Sequence, residues 1–331
     1  ARRATKALAE MLKQEEEERQ LEEHLMVMLQ KNESITRPFL RHLSKHVHSK
    51  IRVDRALKRL KRKDAKVWEE IQTKGFTQAL TSVYTLCIIH VLSATVAAVF
   101  GRCHRQQEDS EDSSASAKWD VSRERKIQCT EICVRYFQNH GLDKLIEKVE
   151  AAVKEEVTLV SEDSDEDVKR ELSLEMFEKV HERVRDVFKN ISPTENINQH
   201  IQVRRRVEDS IEVVDDRIST NPFASYLLPS SETDSFALFG VVRDVLSSPL
   251  CALLMRRIFD DAFQVYLEDI KTRIVFKGED KVLVGTALSF LCIGNFKGSF
   301  GIFAEDKNAY LNAFSKSRAL GDYVSAIYES S

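Results

Sequence analysis

The absence of proline from Phe39 to Ser192 is the feature that most constrains the fold of this chain. Proline interrupts helices because it lacks a backbone N–H and its ring clashes with the preceding turn. The 331 residues include only five prolines and ten glycines, the residues that most often form the turns of a sheet protein. The sequence therefore predicts an all-α protein built from long helices.

The most apolar part of the chain runs from Phe76 to Phe100 and is long enough to cross a bilayer. Polar residues are spread around this helix, however, among them Gln78, Ser82, His90 and Ser93. A helix that is apolar on all sides with scattered polar groups is typical of the centre of a large soluble protein. We expect this segment to be a fully buried central helix.

A second long helix is predicted from Phe39 to about Lys74, ahead of the central segment. Its apolar residues recur at helical spacing, and they are Leu40, Leu43, Val47, Ile51, Leu57, Leu60, Val67 and Ile71. Further along, Ser248 and Pro249 predict a helix start, with the serine as cap and the proline in the first position.

Two polar, acidic segments predict loops, at about residues 104–118 and 161–167. Their composition cannot bury enough apolar area to offset the entropy lost on ordering, so we expect both to be mobile. With 42% apolar residues, the rest of the chain can bury a substantial core. We therefore expect a single helical domain over residues 1–331.

The sequence offers little catalytic or metal-binding chemistry. His42 and His46 are one helical turn apart, with His48 close by, but the glutamate of a zinc-protease helix is missing, and Lys45 and Lys50 would repel a cation. The six cysteines are scattered and indicate reduced, packed thiols. No glycine-rich phosphate loop and no nucleophile elbow is present. The prediction is that the protein is not an enzyme and has no metal or cofactor.

A basic run that ends at Trp68 is the remaining candidate site. Three interpretations are open: a patch for nucleic acid, a solvated face, or a docking ridge of Leu57, Leu60 and Trp68 that receives a partner's amphipathic helix. The net charge of −3 argues against a general nucleic-acid binder. The basic residues are Lys50, Arg52, Arg55, Lys58, Arg59, Lys61, Arg62, Lys63 and Lys66.

The segment Asp54 to Gly101 resembles the cytosolic domain of the peroxin-3 family. Within it, residues 66–92 (KVWEEIQTKGFTQALTSVYTLCIIHVL) match the family's tryptophan, acidic pair, Phe-Thr and following buried helix. Four further blocks are similar to that family and occur in the same order. They are HGLDKLIEKVEAAVKEEV, YLLPSSET, VVRDVLSSPLCALLMRRIFDDAF and DYVSAIYES.

This resemblance implies a large twisted helical bundle and a function without catalysis. Proteins of the family are docking receptors for peroxin-19, a soluble chaperone that delivers newly made peroxisomal membrane proteins. They are held in the membrane of the peroxisome, or of a peroxisome-like organelle, by an N-terminal segment that would precede Ala1 here. The domain itself faces the cytosol. No cofactor and no nucleic-acid partner are expected.

The resemblance also implies where the partner binds. In the family, the N-terminal amphipathic helix of peroxin-19 lies in a groove around a tryptophan, and Trp68 falls on that tryptophan. Leu57 and Lys58 fall on a leucine and a lysine of the same helix face. The residues predicted to contact the partner are Trp68, Leu57, Lys58, Leu60, Lys61 and Ile71.

The chain departs from the family's pattern at the tip. Lys61, Arg62 and Lys63 stand where animal members have a proline and polar residues, and Asp64 replaces a lysine. The alternative function, from a different class, is a helical scaffold or nucleic-acid-binding protein that uses the basic helix of residues 50–66.

Overall fold

The computed structural model describes the chain in several stretches, and the all-α class predicted from the sequence is confirmed in them. The described residues are 42–59, 65–109, 121–162, 171–188, 221, 223–228, 237–273, 281–283, 309–315 and 317–329, together with Arg19, Val27 and Phe39 as single positions. Residues 4–31, apart from Arg19 and Val27, and residues 194–218 lie outside these stretches.

Eleven helices are present in the described residues, with one short strand pair. The helices are α1 (residues 42–51), α2 (Val53–Arg59), α3 (Ala65–Asp109), α4 (Arg123–Tyr136), α5 (Leu142–Glu162), α6 (Leu174–Phe188), α7 (Ala224–Leu227), α8 (Ala237–Ser247), α9 (Pro249–Arg273), α10 (Ala309–Ser315) and α11 (Arg318–Glu329). Strands β1 (Glu171–Ser173) and β2 (Lys281–Leu283) pair antiparallel, with Leu172 opposite Val282.

Helix α3 is the centre of the bundle, which confirms the prediction of a buried central helix. It packs against α2, α4, α5, α8, α9 and α11. Phe76 meets Phe177 of α6 edge to face, with ring centroids 4.9 Å apart. Tyr84 meets Phe259 of α9 in the same way at 4.5 Å. Such aromatic pairs stabilise a core beyond the area they bury.

One described helix, spanning Val67–Gln106, is long and apolar enough to cross a membrane. The helices Ala237–Ser247 and Pro249–Glu268 meet at a bend, and they would count as a second candidate membrane span if they formed one segment. Length and composition are weak criteria, because the core helix of a soluble protein meets them too. In the first helix, 89% of the most apolar window is buried inside the protein.

The predicted continuous helix from Phe39 to Lys74 is wrong, because the chain leaves the helix at Arg52. The φ angle of Arg52 is 51°, in the left-handed region. Its N–H donates to the His48 carbonyl oxygen at 3.2 Å, and its Nε donates to the Ser49 carbonyl oxygen at 2.8 Å. These bonds satisfy carbonyl groups at the end of α1, and α2 then begins at Val53.

The first residues of both predicted loops are helical, contrary to expectation. Helix α3 continues to Asp109 and α5 ends at Glu162, so residues 104–109 and 161–162 are helical. The remainder of both predicted loops lies outside the described residues. Helix α6 begins at Leu174, directly after strand β1.

Three local features join or start individual helices. A π-helical turn, Phe137–Gly141, joins α4 to α5. Helix α7, Ala224–Leu227, is a single turn. The start of α9 is as predicted, with the Cys251 N–H donating to Ser248 Oγ at 3.2 Å.

Candidate functional site

Trp68 lies in the first turn of α3, at the end of the longest described helix. Its side chain is partly buried and packs against the apolar core, together with that of Val67. An indole in this position holds its own bundle together with one part of the ring and presents another part to solvent. Tryptophan is suited to such a place because it combines a large apolar surface with a polar N–H.

The first turns of α3 are fixed from two sides, so that Trp68 stands on a rigid base. The Thr158 hydroxyl at the end of α5 donates to Glu69 Oε1 at 3.1 Å. Glu70 pairs with Lys74 one turn later at 2.7 Å. These two contacts hold the second turn of the helix that carries Trp68.

Helix α2 separates an apolar side from a basic side. Val53 and Ala56 are buried, and α2 packs against α3. Arg55 and Lys58 are exposed. Lys58 therefore lies on the solvent side of a helix that neighbours the one bearing Trp68, as a steering charge requires.

The remaining predicted contact residues have different outcomes. Ile71 has 0% of its surface exposed, so its prediction as a partner contact is wrong; it supports the first turns of α3 from within the core. The backbone of Leu57 is in α2, one turn after Val53, but its side chain lies outside the described part of the structure. Leu60 and Lys61 also lie outside it.

One exposed apolar residue near this end was not anticipated from the sequence. Leu159 follows Thr158, which contacts Glu69, and leaves 51% of its surface exposed. Single exposed leucines are common on protein surfaces. The helical pattern of α5 gave no signal for this one, because the preceding apolar residues of that helix, such as Val153 and Val157, are buried.

The thiols of the described cysteines lie in the protein interior. The five described cysteines are free and buried. Burial raises the pKa of the Cys129 thiol and of the Cys251 thiol to about 12, which keeps both unreactive at neutral pH. The part of the chain that the structure describes contains no group of three side chains that could hold a metal ion.

Neither a protein-family model nor a curated protein matches this chain. A functional assignment therefore depends on the sequence motifs and on the surroundings of Trp68.

Proposed function

We propose that this protein is a docking receptor for peroxin-19 and that it performs no catalysis. The observation that supports this function best is the position of Trp68, partly buried and partly open to solvent at the start of the central helix. The sequence resemblance places the same tryptophan in the receptor groove that holds the partner's helix.

In this proposal the bundle supplies a rigid platform and the partner supplies the mobile element. The partner's amphipathic helix lays its apolar face on the open edge of the Trp68 ring. Because Thr158 and Lys74 already hold the neighbouring carboxylates, docking requires little reordering of α3. A preorganised surface loses less conformational entropy when it binds.

The basic residues of α2 have a separate role in the proposal. Arg55 and Lys58 are exposed, and they attract acidic residues that flank the partner's apolar face. Charges of this kind at the rim of an interface raise the rate of encounter more than they strengthen the final complex.

The proposed place of action is the cytosolic side of the peroxisomal membrane. An N-terminal membrane segment would hold the receptor there, and the helical domain would receive peroxin-19 with its membrane-protein cargo. Fluorescence microscopy of the full-length protein beside a peroxisomal marker tests this location. A uniform cytosolic signal would contradict it.

Calorimetric titration with a peptide of the peroxin-19 N-terminal helix tests the binding function. The expected result is saturable binding of one peptide to each folded protein. The matched control is the same peptide with serines in place of its apolar face, which should not bind. A native peptide that produces no binding to the folded protein would contradict the function.

The alternative, nucleic-acid binding, draws on the exposed cations Arg52, Arg55 and Lys58. Binding to phosphates releases counterions, so its affinity falls steeply as salt rises from about 50 to 200 mM. The affinity of a partner helix for an apolar ridge changes little over that range of salt concentration. Titrations of the peptide and of a single-stranded oligonucleotide at both salt concentrations therefore separate the two functions.

A further inference from the structure

Helix α3 is buried along most of its length, and the side that carries Trp68 is the one covered least. Between residues 71 and 100, the positions of this helix that are only partly buried are Lys74, Ser82, Val83 and His90. Successive residues of an α-helix are about 100° apart, so the last three of these lie within about 60° of Trp68 around the helix axis. Lys74 lies about 120° away. The partly exposed positions of α3 therefore fall mainly on the Trp68 side.

Between Trp68 and Val83, the same side of α3 carries small or nearly buried residues at helical spacing. Gly75 has no side chain, and Ala79 has a single methyl group. Gln72 keeps 6% of its surface exposed and Ala79 keeps 7%. The larger side chains of Trp68 and Val83 pack against the core and are partly open to solvent. The result is a shallow furrow along α3, with Gly75 and Ala79 in its floor and Trp68 and Val83 at its ends.

The furrow has the length and the chemistry of a site for one helix. Val83 comes about four turns after Trp68, roughly 22 Å along the axis. Further along, the ring of Phe314 in α10 lies against that of His90, with centroids 5.1 Å apart, and limits the open side there. The residues that form the furrow are uncharged. It therefore suits the apolar face of a helix better than a charged segment.

We propose that the partner's amphipathic helix lies lengthwise along α3, from Trp68 to Val83, with its apolar face in the furrow and Val83 as its second anchor. Because Trp68 is the first anchor, this placement rests on the proposed function. Gly75 and Ala79 in the floor allow the two helix axes to approach closely, as helices do when ridges of side chains fill grooves. A helix placed in this way contacts α3 through apolar residues at i, i+3, i+4 and i+7. The apolar face of the partner should thus extend over about four turns.

Calorimetric titration of the peroxin-19 helix peptide with native protein, Val83→Ser and Val265→Ser tests the second anchor. Because a valine side chain that is buried on binding contributes to affinity, Val83→Ser should weaken binding by about fivefold or more. Val265 is the matched control, since it is also a partly buried valine that packs against the core. It belongs to α9, which meets α3 through Phe259 and Tyr84, and Tyr84 lies about 160° from Trp68 around the α3 axis. Val265→Ser should bind the peptide as the native protein does.

Two variants of the peptide show whether the partner lies lengthwise. Alanine replaces the apolar residues in the first two turns of one peptide and in the last two turns of the other. One of these peptides should bind native protein and Val83→Ser equally, because it has lost the residues that contact Val83. The other should bind native protein and Trp68→Ala equally. Peptides that each remain sensitive to both substitutions would overturn the lengthwise placement.

Ser82→Arg tests the furrow without removing apolar atoms from the core. Ser82 is partly exposed, and its hydroxyl donates to the Gln78 carbonyl oxygen of its own helix at 2.8 Å. An arginine at this position brings a charge against the apolar face of the partner, so binding should weaken by about tenfold or more. A thermal melt of each sample shows whether the variant is folded, and this variant decides the question if Val83→Ser does not fold.

The outcomes separate this placement from the docking function itself. Folded Ser82→Arg and Val83→Ser proteins that bind the peptide as the native protein does, while Trp68→Ala binds it weakly, would overturn the placement along α3 and leave the docking function standing. Native protein that does not bind the peptide would refute the docking function, and the placement with it. Sedimentation that shows a native dimer and a monomeric Ser82→Arg protein would identify a second copy of the chain in the furrow and would also overturn the placement.

Discussion

Gly141 lies against the backbone carbonyl of Tyr226, so closely that a Cβ atom at position 141 would overlap the carbonyl oxygen. The same Cβ would stand 2.9 Å from Cδ2 of Phe137. The π-helical turn ends at Gly141 and brings this residue under the turn of α7. Glycine is required at this point because two backbone segments approach each other without room for a side chain.

Replacement of Gly141 by alanine should destabilise the protein by about 2–3 kcal/mol, because a backbone segment must move to admit the methyl group. Gly321→Ala is the matched control. Nothing lies within 4 Å of a Cβ built on Gly321 in α11, so the higher helix propensity of alanine should stabilise the protein by about 0.5–1 kcal/mol. Urea unfolding of both variants measures the two changes. Similar stability changes in the two variants would contradict this account of Gly141.

Replacing threonines of α3 by valine should raise the stability of the protein at one position and lower it at another. The hydroxyl groups of Thr77, Thr81 and Thr85 are buried without a hydrogen-bond partner. The hydroxyl of Thr95 instead bonds to the Tyr323 hydroxyl at 2.7 Å and donates to the Val91 carbonyl at 2.9 Å. Thr81→Val should therefore stabilise the protein by about 1 kcal/mol, and Thr95→Val should destabilise it by about 1–3 kcal/mol. Denaturant unfolding that gives the two variants the same sign would refute the assignment of partners.

The sequence predicted those features that depend on local chemistry or on long apolar runs. The buried helix α3 follows from an apolar segment with scattered polar groups, and the start of α9 follows from Ser248 and Pro249, whose roles are local. Which apolar residue in the first turns of α3 is fully buried could not be predicted, because Val67, Trp68 and Ile71 share one side of the helix. For that reason Ile71 was expected at the surface and is instead buried.

Other features depend on contacts between distant parts of the chain. The pairing of β1 with β2 joins Leu172 to Val282, and no turn signal connects two strands so far apart in sequence. The end of α1 at Arg52 has neither glycine nor proline to mark it, so the periodic apolar pattern appeared continuous across it. Of the candidate site, the sequence predicted Trp68 and the exposed Lys58, and it gave no indication of Leu159.

Buried His181 should make stability depend on pH. Its ring stacks on that of Phe263. Burial, and then the positive charge of Arg185, lower its pKa to about 3. An unfolded chain binds a proton to this histidine at about pH 6.5, so the stability it contributes is present above that pH and is lost as the pH falls towards the folded value.

The loss should amount to about 1.4 kcal/mol for each pH unit between about pH 6 and pH 4. His181→Gln removes this contribution, so the difference in unfolding free energy between native protein and variant should shrink or change sign across the range. Urea unfolding at a series of pH values measures it. His104→Gln, exposed on α3, is the control. A constant difference between native protein and the His181 variant would show that His181 is not held neutral by the fold.

Charge reversal at Lys58 should affect the rate of partner binding more than its strength. Lys58 is exposed on α2, where a positive charge steers an acidic partner without being desolvated. Lys58→Glu should lower the association rate of the peroxin-19 peptide by about threefold or more at low salt. The difference in association rate between the variant and the native protein should decrease as salt screens the charge. Stopped-flow fluorescence measures both rates, and an equal effect at high salt would contradict the steering role.

Removal of the Trp68 ring tests the docking function most directly. Truncation of a large aromatic anchor typically costs on the order of 2–4 kcal/mol, so Trp68→Ala should weaken binding of the peroxin-19 helix by about thirtyfold or more. Val187→Ala is the matched control, since Val187 is an exposed apolar residue next to Phe188, which packs on Tyr84, several turns along α3 from Trp68. This control should bind as the native protein does.

The decisive measurement is calorimetry of the peptide with native protein, Trp68→Ala and Val187→Ala, with a thermal melt of each sample. The docking account predicts a weakened dissociation constant for the Trp68 variant alone, in protein that the melt shows to be folded. An unchanged dissociation constant in folded Trp68→Ala protein, with a lowered melting temperature, would show that Trp68 only packs its own bundle and would contradict the account.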